Sequence, residues 1–305
     1  MRLNGGTTVD EHAHIFQQHR GRLCGVAYRM LGSRSDAEDV VQDAYLRWHR
    51  TSIADIRSVE AWLVTVVTRL SIDRLRQAKA ERESYVGPWL PEPLVSTEAP
   101  PADAESELAS SLSVAFLVVL ERLAPEERAA FLLHEVFESG YDEIARIVGK
   151  SEAACRQMVS RARKRVHDDR PRVQVSETAR TNLLNRFVQA IHAQDKAALM
   201  DVLAAEASWI SDGGGKARAA LKPVLGREAV ARFVLGVLGR HAAELKFERV
   251  TVNGETGLAL HFGEHLISVM AMRTDGARIL EVFATLNPEK LSQIHVPFRL
   301  SSETH

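Results

Sequence analysis

Apolar residues recur at three- and four-residue intervals through the first half of the chain. Phe16, Leu23, Ala27, Met30 and Leu31 form one stripe that stops at Gly32, which predicts a helix and then a turn. Ser35 and Glu38 make a Ser-x-x-Glu capping box ahead of Val40, Val41, Ala44, Tyr45 and Trp48, the apolar face of a second helix. A third starts after Ser58 and runs Val59, Trp62, Leu63, Val66, Val67, Leu70, with Arg69, Arg74, Arg76 and Lys79 toward its end. The three make a compact helical unit.

Leu108, Leu112, Phe116, Val119, Leu120 and Leu123 mark the next helix, and Pro125 opens another that runs to about Phe137. Asp142 to Val148 is a short helix, Gly149-Lys150 turns the chain, and Ser151 caps a helix to about Val166. This is helix-turn-helix spacing. From Ser176 the character changes: helices over Leu183–Ala193 and Ala197–Ala205, a Gly-rich loop, a helix over Arg227–Arg240, then alternating runs. Those runs, Leu245–Val252, Gly257–Phe262, Ile267–Arg273 and Arg278–Leu286, are joined by turn signals at Asn253-Gly254 and Asp275-Gly276. Helices followed by a curled antiparallel sheet predict an α+β domain.

Charge sharpens the boundaries. The 305 residues carry a formal net charge of -1, so any pull on nucleic acid must be local. Residues 85–111 hold five acidic and no basic side chains together with five prolines, the composition of a linker. Lys150 to Arg172 holds eight basic against three acidic residues, a local excess of positive charge on one predicted helix. Cys24 and Cys155 offer neither a disulfide framework nor metal-ligand spacing, which favours a reducing compartment, the cytoplasm by default. The longest uncharged apolar run, Val114 to Leu120, is far too short to span a bilayer.

On a helical wheel Cys155, Val159, Ala162 and Val166 share an inward face. The opposite side carries Arg156, Gln157, Ser160, Arg163 and Lys164, flanked by Arg161. These are donors suited to base edges in the first half and to phosphates farther along. Asp36, Glu38, Asp39, Gln42 and Asp43 form an exposed polar face on the second helix. A three-helix unit of this pattern, a flexible linker and a helix-turn-helix together resemble the sigma-70 family, extracytoplasmic-function subgroup. The stretch from Asp36 to Trp48 is similar to region 2.2, which docks on the β′ clamp helices of RNA polymerase, with Asp39, Gln42 and Asp43 at the polar contact positions.

Ala61-Trp62-Leu63 leading to Asp73-Arg74-Leu75-Arg76 is similar to the regions that melt and read the minus-10 element. The resemblance therefore implies minus-10 contacts by Trp62, Arg69, Arg74 and Arg76, although Thr68-Arg69 stands where the family has Arg-Asn. Tyr141 to Ala145 followed by Ser151 to Arg165 resembles region 4.2, with Arg156, Gln157, Ser160, Arg161 and Lys164 as minus-35 contacts. Trp89-Leu90-Pro91-Glu92-Pro93-Leu94 and Asp212-Gly213-Gly214-Gly215-Lys216 resemble the sigma-J-like subgroup, which carries a fused SnoaL-like extension of the nuclear-transport-factor-2-like fold.

The implied fold is multidomain, two all-α domains followed by an α+β SnoaL-like cone. Sigma region 2 is expected over 1–84, a Pro-rich acidic linker over 85–111, region 4 over 112–172 and the regulatory extension over 173–305. The implied function is a promoter-specificity subunit, not an enzyme, without cofactor or metal. Its partners would be core polymerase at the β′ clamp and β flap, promoter DNA, and a small molecule in the extension. The linker motif and the Asp212–Lys216 loop form the expected regulatory contact, Trp89 being a large apolar residue in a polar segment. A Walker-type phosphate loop does not fit, because Ile210 and Ala217 stand where Gly and Ser or Thr are required. A rigid spacer and a plain turn are the blander readings of the two motifs.

His192, Asp195, Trp209, Asp212, His261 and Glu281 are cavity candidates for an acid-base pair, and His12, His14 and His19 for a metal. Structural roles are the simpler reading of both sets. The rival function is a SnoaL-like small-molecule enzyme fused to a DNA-binding module.

Overall fold

The computed structural model describes residues 6–52, 56–98, 112–168 and 175–294. The expected apolar contribution of Leu108 lies outside them. The chain forms two compact units: residues 1–83 with 119–169, and residues 84–118 with 170–305. The described residues of the acidic linker, 85–98, thus belong to the second unit.

The first unit is helical: α1 (Gly6–Leu31), α2 (Arg34–His49) and α3 (Val59–Glu83) come from the N-terminal stretch. The chain re-enters the unit partway along α4 (Val114–Leu120) and adds α5 (Pro125–Glu135), α6 (Tyr141–Val148) and α7 (Glu152–Asp168). Trp48, Leu23, Leu63 and Leu31 are buried completely or nearly so, and the Trp48 indole N–H donates to the His12 carbonyl at 2.8 Å. The N-cap of α2 is Ser33, not the expected Ser35. Ser33 has the extended backbone a cap needs and its hydroxyl accepts from Asp36 N, whereas Ser35 already lies within the first turn. Gly149 closes α6 in the left-handed conformation, its N–H donating to Ala145 O at 2.9 Å.

The carbonyls that end α1 are satisfied by side chains from elsewhere. Arg128 donates to Met30 O at 2.6 Å and Arg82 to Leu31 O at 3.0 Å, and both guanidinium groups meet the Glu121 carboxylate. This places positive charge at the negative end of the helix dipole and joins α1, α3 and α5 through one partly buried triad. Burial pulls the Arg82 pKa below its ordinary value; Glu121 opposes the shift and Arg128 adds to it.

The second unit is built on one sheet, ordered β1-β4-β5-β6-β7-β2-β3. Its strands are β1 (Val95–Ser96), β2 (Leu203–Asp212), β3 (Val224–Leu225), β4 (Leu245–Val252), β5 (Glu255–Phe262), β6 (His265–Thr274) and β7 (Ile279–Thr285). Helices α8 (Glu177–His192), α9 (Lys196–Val202) and α10 (Arg227–Leu238) pack on one face, where Phe187, Leu199, Trp209, Val230, Met270 and Val282 form the core. The other face buries Val250, Val269, Ala271 and Phe283. It is covered by Leu90 and Val114 and by Leu291 of α11 (Pro288–Leu291).

Two expectations need correction. The predicted helix over Ala197–Ala205 stops at Val202, and β2, unpredicted, begins at Leu203. This strand is buried on both sides near its end, so it lacks alternation, and its alanines read as helical. The sheet is also mixed, because β2 runs parallel to β7. The last surprise is β1, a two-residue strand of the linker paired with the edge of β4 through Val95–Val252 and Ser96–Thr251.

Candidate functional site

On α2, Asp39, Gln42 and Asp43 are exposed on one face, while Val40, Val41 and Ala44 turn inward. Leu46, which sequence reasoning passed over, is 47% exposed and continues the same stripe at i+3 and i+4 from its polar neighbours. An exposed leucine on an otherwise amphipathic helix was the available signal.

On α3, Trp62 packs against Trp48 with ring centroids 5.8 Å apart and the rings tilted at 52°, and the three arginines hold protein partners. Arg74 pairs with Asp36 at 2.8 Å, which raises its pKa, and Arg76 pairs with Glu126 of α5. Arg69 donates to the carbonyls of Arg146 at 2.7 Å and Ile147 at 3.1 Å, at the end of α6.

On α7, Cys155, Val159, Ala162 and Val166 are buried as the wheel requires, and Arg156, Gln157, Ser160, Arg161 and Lys164 are exposed on the other side. Ser151 caps the helix through Ala154 N. Several of the basic residues rest in ion pairs within the unit. Arg156 meets Glu152 at 2.8 Å and lies 5.0 Å over the Tyr141 ring, and Arg161 and Arg165 both reach Glu127. The exposed Arg156–Glu152 pair is worth about 0–1 kcal/mol, so it releases readily to a phosphate or base.

The Asp212 carboxylate, fully buried at the end of β2, is the centre of the linker contact. It accepts from the Tyr85 hydroxyl at 2.6 Å, the Leu90 amide at 2.8 Å and the Lys290 ammonium at 2.7 Å. Burial and the bond to Asp212 hold the Tyr85 phenol above its ordinary pKa, so the hydroxyl stays protonated as the donor. Lys290 also donates to Leu90 O, and its ammonium lies 4.2 Å over the Trp89 ring. Leu90, 1% exposed, inserts into the sheet-face core, a burial worth about 1.5–3 kcal/mol. Pro91 and Pro93 are buried and Glu92 is half-buried.

The glycines of the loop have a steric reason. Gly214 (φ +59°) and Gly215 (φ +72°) are left-handed, and a Cβ would strike Asn287 and Tyr85 at the first and crowd Val86 at the second. A Cβ on Gly213 would meet the Ala217 carbonyl. Lys216, by contrast, pairs with Glu289. Tyr85, Asn287 and Lys290 were not legible as part of this site. Asn287 caps α11 and donates to the Tyr85 hydroxyl from 202 residues away in sequence, and no local pattern carries such a pairing.

Three of the cavity candidates have hydrogen-bond or ion-pair partners, and His261 is buried in β5 at 1% exposure. His192 meets Ala242 O, Asp195 caps α9 and Glu281 pairs with Arg273. No group of three potential metal ligands occurs among the described residues.

Family models for sigma-70 region 2 and sigma-70 region 4 match residues 15–81 and 113–166. The ECF RNA polymerase sigma factor SigJ of Mycobacterium tuberculosis is 41% identical over 252 residues, covering 79% of this chain and 78% of its own. The chain belongs to the ECF sigma factors. SigI of the same organism, named a probable ECF RNA polymerase sigma factor, is 28% identical over 287 residues, 93% of this chain and 96% of its own. The crystal structure of the M. tuberculosis extracytoplasmic function sigma factor SigJ matches with a TM-score of 0.72 at 34% identity, covering 92% of this chain and 98% of that one. In this sigma factor α2 and α3 therefore belong to region 2, α6 and α7 to region 4, and an α+β domain follows. No helix of the described residues is long and apolar enough to cross a membrane.

Proposed function

We propose that this sigma factor docks on the β′ clamp of core polymerase through Asp39, Gln42, Asp43 and Leu46. Trp62, Arg69, Arg74 and Arg76 read the minus-10 element, and Arg156, Gln157, Ser160, Arg161 and Lys164 the minus-35 element, with region 4 on the β flap and all of this in the cytoplasm. The C-terminal domain regulates this activity by gripping the linker. The observation that carries the regulatory reading is the buried Asp212 carboxylate with two of its donors, Tyr85 and the Leu90 amide, on the linker. A cavity ligand or enzymatic role has no comparable support.

The described conformation is a resting one. Elements named minus-10 and minus-35 are about 25 base pairs apart, about 85 Å of B-DNA, yet Arg69 of region 2 is hydrogen-bonded to region 4 backbone. Promoter binding on this reading opens the first unit and frees Arg69 and Arg76.

Run-off transcription with core polymerase tests the assignment. The intact chain should give a start site that core enzyme alone does not, and absence of such a product refutes it. Within that assay, Arg156→Ala should cost about 1–3 kcal/mol at one minus-35 base pair, whereas Lys164→Ala should weaken binding evenly across sequences and flatten the salt dependence. Equal losses on matched and mismatched promoters for Arg156→Ala would remove it as a base reader. Charge reversal at both Asp39 and Asp43 should lower affinity for core enzyme in a titration, and unchanged affinity would exclude that face. The double change is the sharper test because a single exposed pair contributes only about 0–1 kcal/mol.

A further inference from the structure

We propose that Asn253 is a second linker latch, a positioning residue that removes the middle of the linker from the tether between the two DNA-reading regions. The inference rests on the regulatory reading of the linker and adds to it a residue and a mechanism. Asn253 opens the turn between β4 and β5 and is 1% exposed. Its side-chain oxygen accepts from Leu94 N at 3.0 Å, its backbone N–H donates to Leu94 O at 2.8 Å, and its amide nitrogen donates to Leu112 O at 2.9 Å.

One side chain thus holds the chain at two points 18 residues apart in sequence, Leu94 within the linker and Leu112 just past its end. A stretch of that length could extend about 60 Å if free. Pinned at both ends to the same residue, it contributes almost nothing to the reach between region 2 and region 4. Nearby contacts reinforce the grip: β1 pairs with β4, and the Thr251 hydroxyl donates to Glu98 O. The backbone chemistry also requires this residue type. Asn253 has φ +53° and is followed by Gly254 at φ +84°, the left-handed pair that Asn-Gly adopts readily. Asparagine is the side chain that tolerates this conformation while offering both an acceptor for Leu94 and a donor for Leu112.

Two variants separate the latch from the turn. Asn253→Gly keeps the left-handed turn and removes the side chain. Asn253→Asp keeps the acceptor for Leu94 and removes the donor for Leu112. Amide hydrogen exchange in the full chain should accelerate at Leu94 in Asn253→Gly by at least about tenfold, with Leu90 still protected by Asp212. In Asn253→Asp, Leu94 should stay slow. Unchanged Leu94 exchange in Asn253→Gly would overturn the latch.

Its consequence is read by inserting about ten Gly and Ser residues between Ala102 and Asp103, inside the pinned stretch. In the natural background the insertion should change run-off transcription less than about twofold. In the Asn253→Gly background it should change output at least about fivefold, because the added length then enters the tether. Equal effects in both backgrounds would overturn the role of the latch in setting tether length. Accelerated exchange at Leu94 with transcription unmoved by any of these variants and by Asp212→Ala would refute instead the regulatory reading beneath it.

Discussion

Asp212→Ala is expected to detach the first half of the linker and to weaken the second unit by about 3–5 kcal/mol, the range for removing one partner of a buried ion pair. The size follows from what is left behind. The Lys290 ammonium, its side chain only 12% exposed, loses its carboxylate, and the buried Leu90 amide loses its acceptor. Exchange at the Leu90 amide should rise about 100-fold or more, since each 1.4 kcal/mol is a factor of ten. Urea unfolding gives the global loss. Asp212→Asn should cost less, because it retains an acceptor and loses only the charge. Adding Lys290→Met to Asp212→Ala should restore part of the stability by removing the orphaned cation, without restoring slow exchange at Leu90. If Asp212→Ala left both the Leu90 exchange and the urea midpoint unchanged, the carboxylate would have no role in holding the linker.

Glu121→Gln is expected to act in the opposite direction on function. Glu121 pairs with both Arg82 and Arg128, and Arg128 is 2% exposed. Neutralising it leaves two partly buried guanidinium groups facing each other across regions 2 and 4, at a cost of about 3 kcal/mol. That weakens the closed first unit, so the melting temperature should fall. Because the open form is the one that binds promoter DNA in this account, apparent affinity of the polymerase complex for the promoter should rise, by up to about 100-fold if closure dominates the free state. A variant that melts earlier and also binds more weakly would contradict the opening step.

Much of the helical architecture was legible because each helix carries its own evidence. The stripe from Phe16 to Leu31 and the apolar face of Cys155, Val159, Ala162 and Val166 need no knowledge of their partners, and the donors on the exposed side of α7 follow from the same wheel. The carboxylate face of α2 was legible in the same way, and only Leu46 escaped because a single exposed leucine does not alter the pattern. The sheet was legible where Asn-Gly and Asp-Gly turns separate alternating strands. It failed at β2, whose burial on both faces erases alternation, and at β1, whose two residues form a strand only because β4 offers an open edge. The linker contact was legible as two motifs but not as a network. Asp212 meets Tyr85 across 127 residues and Asn253 meets Leu94 across 159, separations at which only the folded chain brings donor and acceptor together.

Regulation through a gripped linker is tested most directly by run-off transcription with core polymerase and saturating sigma factor, comparing the intact chain with Asp212→Ala at a promoter carrying both elements. The account expects output at least about tenfold lower for the variant, while its affinity for core enzyme stays the same, because a loosened tether lowers the effective concentration of region 4 at the minus-35 element. Equal transcription by the two proteins, with Leu90 exchange accelerated in the variant, would contradict it.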